Sequence, residues 1–387
     1  MMSMPRYTFR LYCHKCGREF DPLEPIWKCG CGGILDIEMI LEEVQVSKEV
    51  FRGRICSMWR YLELLPIVDK NNIVSLGEGW TPIINDRKNR KVHFKLDYLN
   101  PTGSFKDRGA SILISHVRSI GVSSIVEDSS GNAGAAIAAY SSLAGIRAKI
   151  FVPKDAPREK IFQIRSYGAE VIEIPGSREN VNKKALESCR HALYVGHLWN
   201  PFFIEGIKTM AFEYCEQKNW IIPDLVIVPV GSGGLLIGLY KGFREFHLLD
   251  FIERIPRIYG VQAMGCSPVY DLLHGKCTAT ISSTLADGIA VPDPPRKFQV
   301  AKIVSETGGD IILVNDDEII RAWKELCKIG LLVEPTSATS YAAYMRLVEE
   351  GSIDPHEHTL IPLTGIGLKA LDRLSNIISR YGKQRFN

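Results

Sequence analysis

Asn100-Pro101-Thr102-Gly103-Ser104-Phe105-Lys106-Asp107-Arg108-Gly109-Ala110 is the stretch on which the rest of the chain turns. A Pro-Thr-Gly turn leads into a helix, and one lysine stands in that helix's first turn. Lys106 there meets the positive end of the helix dipole and the helix's unpaired amides, which lower the basicity of an ammonium group. A lysine of lowered basicity is a usable nucleophile near neutral pH. Its flanks Gly103, Phe105 and Ala110-Ser111-Ile112-Leu113-Ile114 are small or apolar, which points to a buried segment rather than a solvated surface lysine.

Working outward, residues 123–127 read as a strand and residues 135–140 as a helix. Asp128-Ser129-Ser130-Gly131-Asn132-Ala133-Gly134 joins them. Backbone amides at such a junction point outward and bind anions, so a substrate carboxylate fits here; an ordinary capped turn fits as well. Further on, a strand at 224–230 runs into Gly231-Ser232-Gly233-Gly234 and then an apolar helix at 235–243. Glycines let amides close around a phosphate at a helix start. A dinucleotide fingerprint would need a third glycine where Leu236 stands, and no Walker loop follows, so a compact monophosphate suits this turn better. Strand patterns at 149–152, 170–174, 257–262 and 360–365 alternate with helical ones, which predicts parallel sheets with helices on both faces.

The chain has 387 residues, 45% hydrophobic and 24% charged, with a net charge of +3. That suggests a soluble protein of two or three domains, with no nucleic-acid coat and no membrane partner. No run of about 18 uncharged apolar residues occurs, and residues 1–13 lack the apolar core of a signal peptide, so the expected location is cytoplasmic. Of ten cysteines, four (Cys13, Cys16, Cys29 and Cys31) fall within nineteen positions and six are scattered. This fits a metal site plus reduced thiols better than a disulfide framework. Two cysteine pairs on tight turns about a dozen residues apart can set four thiolates around zinc, and such a site contributes folding energy directly.

Taken together, the lysine stretch, Ser130-Gly131-Asn132-Ala133, the loop Leu76-Gly77-Glu78-Gly79-Trp80-Thr81-Pro82 and the strand end Thr364-Gly365 resemble threonine synthases. These are fold-type II enzymes that use pyridoxal phosphate. The resemblance implies an α/β fold like that of the tryptophan synthase β chain, with two three-layer αβα domains, parallel sheets and a small N-terminal zinc ribbon. It places the hook at residues 1–45, a large cofactor-binding domain at 46–95 and 205–387, and a smaller domain at 96–204. It implies that Lys106 is the catalytic residue and forms the Schiff base with the cofactor. Asn132 would meet the cofactor's phenolic oxygen, Gly231, Ser232, Gly233 and Gly234 its phosphate, and Thr364 its pyridine nitrogen. Ser104, Ser130, Asn132, Ala133 and Lys208 would bind the substrate. Ser283-Thr284-Leu285-Ala286-Asp287-Gly288-Ile289 resembles the loop that faces the cofactor. A homodimer and the conversion of O-phosphohomoserine and water to threonine and phosphate are implied as well.

Two positions depart from the family pattern. Ile366 stands where a histidine is common. Asn200-Pro201-Phe202-Phe203-Ile204-Glu205-Gly206-Ile207-Lys208-Thr209 has Phe203 where the family carries a phosphate-binding arginine. Each charge-assisted hydrogen bond lost costs roughly 1.5–3 kcal/mol. Lys208 is the cation expected to compensate. The alternative within the same scaffold is a serine/threonine dehydratase or a cysteine synthase-like enzyme whose leaving group is not phosphate.

Overall fold

A computed structural model of the chain describes residues 7–275 and 284–381. Its contacts divide into two units, Met1–Trp80, Lys106–Glu213 and Arg244–Phe251 in the first, and Thr81–Phe105, Tyr214–Phe243 and Ile252–Asn387 in the second. Residues 276–283, and with them Cys277 and Ser283, lie outside the described residues.

The first unit contains a four-stranded parallel sheet in the order Glu170–Ile174, Arg147–Pro153, Ser124–Glu127, Leu193–Tyr194. Its two middle strands carry apolar runs, Ile125-Val126 and Ile150-Phe151-Val152, all buried, as strands covered on both faces require. Helix Lys106–Ser119 is buried along almost its whole length. A helix can be enclosed this way only if its polar groups find partners. Arg108 forms a two-pronged ion pair with Glu213, at 2.6 and 2.7 Å. Ser111 donates to Glu78 at 2.6 Å. Gly206 lets helix Pro201–Gln217 approach closely, since a Cβ there would lie 1.9 Å from the Arg108 carbonyl oxygen.

The hook is a three-stranded antiparallel sheet, Glu19–Phe20, Phe9–Cys13 and Leu35–Met39. It docks through aromatic edges: Trp27 packs against Tyr194 and Trp199 at 4.8 and 5.5 Å between ring centroids.

The second unit holds a six-stranded sheet in the order Ile311–Val314, Arg257–Ala263, Leu225–Pro229, Thr359–Pro362, Val92–Lys95, Ile83–Asn85. All neighbours run parallel except the last pair. Helix Pro335–Glu349 covers it, with Ala338, Tyr341 and Ala342 against Phe94, Leu225, Ile227 and Ile361. The chain is thus an α/β protein with two mainly parallel sheets and an N-terminal cysteine hook.

Residues 46–80, expected with the larger domain, group by contact with the lysine-bearing unit. The buried carboxylate of Glu78 contributes to this, with Val74 bonded to Ser115 and Tyr61 packed on Phe212. Glu78 accepts hydrogen bonds from Trp59 Nε1 at 2.7 Å, Ser111 at 2.6 Å and Tyr140 at 2.8 Å, which ties the 57–78 segment to two helices of that unit.

Candidate active site

In the first unit, Lys106 is the first residue of its helix. Burial pushes its amine down to about 8; the charge of Glu127 pulls it back up, and that of Arg178 adds to the fall. The expected direction holds, and burial is its main cause. Nζ lies 5.6 Å from the centre of the Phe203 ring. That ring rests on Gly109, one turn beyond the lysine, where an added Cβ would come within 2.5 Å of it. Phe203 is therefore a floor beneath Lys106, 1% exposed, and offers nothing to an anion.

Lys208 does not fit the role expected of it. It is fully buried, with Nζ 2.5 Å from Glu205 Oε2 and 2.9 Å from Glu245 Oε1. A lysine held between two carboxylates inside a unit is a structural cation. Its direction could not be read from the sequence, because Glu245 lies on another helix, Gly234–Leu248.

Asn132 begins helix Asn132–Leu143, with Gly131 as its cap residue and Ala133 buried behind it. Ser129 Oγ accepts the Gly131 N–H at 3.2 Å, and Ser130 is half-buried at the bend. Gly134 is required here, since a Cβ would lie 2.0 Å from the Ser129 carbonyl oxygen.

Two residues of this neighbourhood escaped the sequence reading. His197 donates its backbone N–H to Glu127 Oε2 at 3.2 Å, and its Nδ1 lies 2.8 Å from Glu127 Oε1. Burial, then Asp128, push the Glu127 carboxyl well above its usual range. Burial, then the positive charges of Lys106 and Arg178, push His197 well below its own. The only available signal was a glutamate closing an apolar strand.

In the second unit, strand Leu225–Pro229 leads into Gly231-Ser232-Gly233 and helix Gly234–Leu248. A Cβ on Gly231 would lie 2.7 Å from the Gly288 carbonyl oxygen, so the turn packs directly on the Asp287–Ile289 segment. Gly233 has φ +88°, and a Cβ there would meet Val300 at 2.3 Å. The turn therefore needs its glycines on both counts and presents backbone amides as donors.

Thr364 follows strand Thr359–Pro362 in the same unit. Its partner Ser337 was not singled out in the sequence. Ser337 Oγ accepts the N–H groups of Thr364 at 3.0 Å and Gly365 at 2.9 Å. With both lone pairs used, its own hydrogen must be donated, and Thr364 Oγ1 at 2.9 Å is nearer than the Gly365 oxygen at 3.3 Å. Thr364 then keeps its hydroxyl hydrogen to give to a ligand. Ser104 pairs with Gly365 beside it, and Ser104 Oγ is buried with no hydrogen-bond partner among the described residues. Ile366, in the common histidine position, lies against Gly103, where a Cβ would be 2.9 Å away.

In the hook, the sulfurs of Cys13, Cys16, Cys29 and Cys31 all lie within 4.8 Å of one another. The Cys13–Cys31 and Cys16–Cys29 separations are 3.6 and 3.7 Å. A tetrahedron with metal–sulfur bonds of about 2.3 Å has edges of about 3.8 Å. All nine described cysteines are free thiols.

These features agree with what known proteins show. A family model described as pyridoxal-phosphate dependent enzyme matches residues 74–365. The threonine synthase of Methanocaldococcus jannaschii is 38% identical over 375 residues, covering 93% of both chains. That of Methanosarcina acetivorans is 32% identical, covering 93% of this chain and 92% of its own. Among solved structures, maize serine racemase superposes with a TM-score of 0.65 at 25% identity, over 79% of this chain and 94% of its own. Serine racemase from Dictyostelium discoideum gives 0.63 at 28% identity, over 74% and 92%. The chain belongs to the pyridoxal-phosphate-dependent enzyme family and, within it, to the threonine synthases.

Proposed function

We propose that the chain converts O-phosphohomoserine and water to threonine and inorganic phosphate, with pyridoxal phosphate as cofactor and a structural zinc ion in the hook. The observation that carries this is an enclosed Lys106 of depressed basicity, set over an aromatic ring, in a chain this similar to threonine synthases. The residues present fit the cofactor: a glycine turn whose Cβ positions are filled by neighbouring atoms, a threonine hydroxyl oriented to donate, and a buried Ser104 hydroxyl still to be matched.

When bound, the cofactor supplies an electron sink for negative charge developing on the substrate's carbons. The amides of Gly231, Ser232, Gly233 and Gly234 would hold its phosphate. Thr364 would meet its ring nitrogen with a neutral hydroxyl, oriented by Ser337. Asn132 would hold its phenolic oxygen. Lys106 would anchor the cofactor; once released from it by the substrate, Nζ, with its ammonium form disfavoured, would take a proton from one substrate carbon and return it to another. The Ser130–Ala133 turn would hold the substrate carboxylate, and the Ser104 hydroxyl would be a further contact to the substrate.

For the hook, the sulfur separations support zinc through their match to a tetrahedral thiolate cage. Metal analysis of the purified protein should find one zinc per chain, lost in Cys31→Ser. No helix of the described residues is long and apolar enough to cross a membrane. We read the enzyme as a cytoplasmic homodimer.

A second reading is favoured by the fates of Phe203 and Lys208, neither of which is placed to hold a substrate phosphate. It is a serine/threonine dehydratase or a cysteine synthase-like enzyme. A panel of O-phosphohomoserine, serine, threonine and O-acetylserine, scored for phosphate, keto acid, threonine and cysteine, separates the two. Phosphate and threonine formed together support the first; keto acid or cysteine without phosphate release overturns it.

A further inference from the structure

With Phe203 acting as a floor and Lys208 buried between carboxylates, neither position offers a cation to the substrate phosphate of the proposed reaction. Another cation lies in the same unit. Helix Arg178–Glu187 is capped by Ser177, whose Oγ accepts the Asn180 N–H at 3.4 Å. Asn182 on this helix donates to Asp128 Oδ2 at 2.8 Å. Tyr194 donates to the other oxygen of Asp128 at 3.0 Å and is itself 3.1 Å from Asn182 Nδ2. Asp128 opens the Ser129-Ser130-Gly131-Asn132 turn, so the Asn182 face of the helix is pinned to that turn.

Arg178 stands four residues before Asn182, on the same face and one turn nearer the helix start. Both oxygens of Asp128 accept hydrogen bonds from neutral donors, Asn182 and Tyr194, and Arg178 forms no ion pair with it. Among the described residues the Arg178 side chain makes no hydrogen bond and no ion pair, and it is exposed. Its charge nevertheless reaches the reacting lysine: it helps lower Lys106 and His197 and opposes the rise of Glu127.

We propose that Arg178 binds the phosphate of the substrate, doing from helix Arg178–Glu187 what the arginine expected at position 203 would otherwise do. The proposal rests on the reaction put forward above. A guanidinium suits the task because its planar fork meets two phosphate oxygens at once, which a lysine cannot do. Selectivity for a phosphorylated substrate then depends on a helix tied to the carboxylate-binding turn through Asn182, Asp128 and Tyr194.

The test uses the holoenzyme and its Arg178→Met and Arg178→Lys variants. Arg178→Met should lower kcat/KM for O-phosphohomoserine roughly ten- to a hundred-fold, mostly through KM. Arg178→Lys should fall less. Because the residue is exposed, both variants should keep the wild-type melting temperature. An unchanged KM in a folded Arg178→Met overturns the proposal while leaving the reaction intact. The second arm needs no turnover. Arginines of the wild type are modified with phenylglyoxal, with and without inorganic phosphate, and located by mass spectrometry. Protection of Arg178 by phosphate supports the assignment; equal modification in both samples overturns it. If the wild type releases no phosphate from O-phosphohomoserine, the reaction has failed, and the protection arm alone decides whether Arg178 is an anion site.

Discussion

The surroundings of Lys106 and Lys208 make an instructive pair, because both lysines sit inside the same unit and only one is suited to chemistry. Lys106 opens a helix over the face of Phe203, and burial brings its amine to about 8. Lys208 lies in the middle of helix Pro201–Gln217, between Glu205 and Glu245. The nitrogen of Lys208 is taken up by two carboxylates, whereas burial without such contact favours the neutral form of Lys106. Enclosure alone therefore does not make a nucleophile; what decides is whether the protein also supplies the counter-charge. Glu127 keeps Lys106 from falling further, but both its oxygens are engaged by His197.

The sharpest way to break this comparison is to delete each lysine in turn. Lys106→Ala should lower turnover by about three to four orders of magnitude and abolish the visible absorbance that depends on the lysine–cofactor link, with little change in urea midpoint. Residual activity within tenfold of wild type would remove Lys106 from its role. Lys208→Met should do the reverse. It leaves two buried carboxylates without their cation, a loss of about 3–5 kcal/mol in unfolding free energy, with activity per folded molecule within about twofold. Adding Glu205→Gln should restore part of that stability. A Lys208→Met protein of wild-type stability and collapsed kcat/KM would return Lys208 to the substrate.

The contrast also shows what was legible in the sequence. The lysine stretch, the Ser-Ser-Gly-Asn turn and the glycine turn were found because each is a local pattern: a strand end, a few small residues and a helix start. Lys208 and Phe203 were not, since what they touch is distant in the chain: Glu245 for one, the Gly109 gap for the other. The Glu127–His197 pair spans 70 residues and Ser337–Thr364 spans 27, and no periodicity marks either. The antiparallel edge strand Ile83–Asn85 was hidden for a different reason. Alternation of side chains marks a strand but not its direction. The grouping of residues 46–80 with the lysine-bearing unit depends on partners distant in the chain: Glu78 with Ser111 and Tyr140, Val74 with Ser115, and Tyr61 with Phe212.

A third buried base sharpens the comparison with a smaller effect, because it has burial and nothing else. His116 lies on the lysine-bearing helix, stacked on Phe202 at 3.6 Å with 10° between the rings, and its Nδ1 has no hydrogen-bond partner among the described residues. Burial alone pushes its imidazole down to about 3. The folded protein therefore keeps the ring neutral at pH values where the unfolded chain, near 6.5, takes up a proton. Stability from this group is complete above about pH 6.5 and is lost as pH falls from there toward 3, by about 1.4 kcal/mol for each pH unit. Carboxylates contribute slopes of their own in the same range, so the informative quantity is the difference between wild type and His116→Leu. Urea unfolding at several pH values between 7 and 4.5 should show the variant losing less stability on acidification by that amount. Parallel slopes would mean that enclosure at this helix does not hold a base neutral, and the depressed basicity of Lys106, ten residues earlier on the same helix, would then need a cause other than burial.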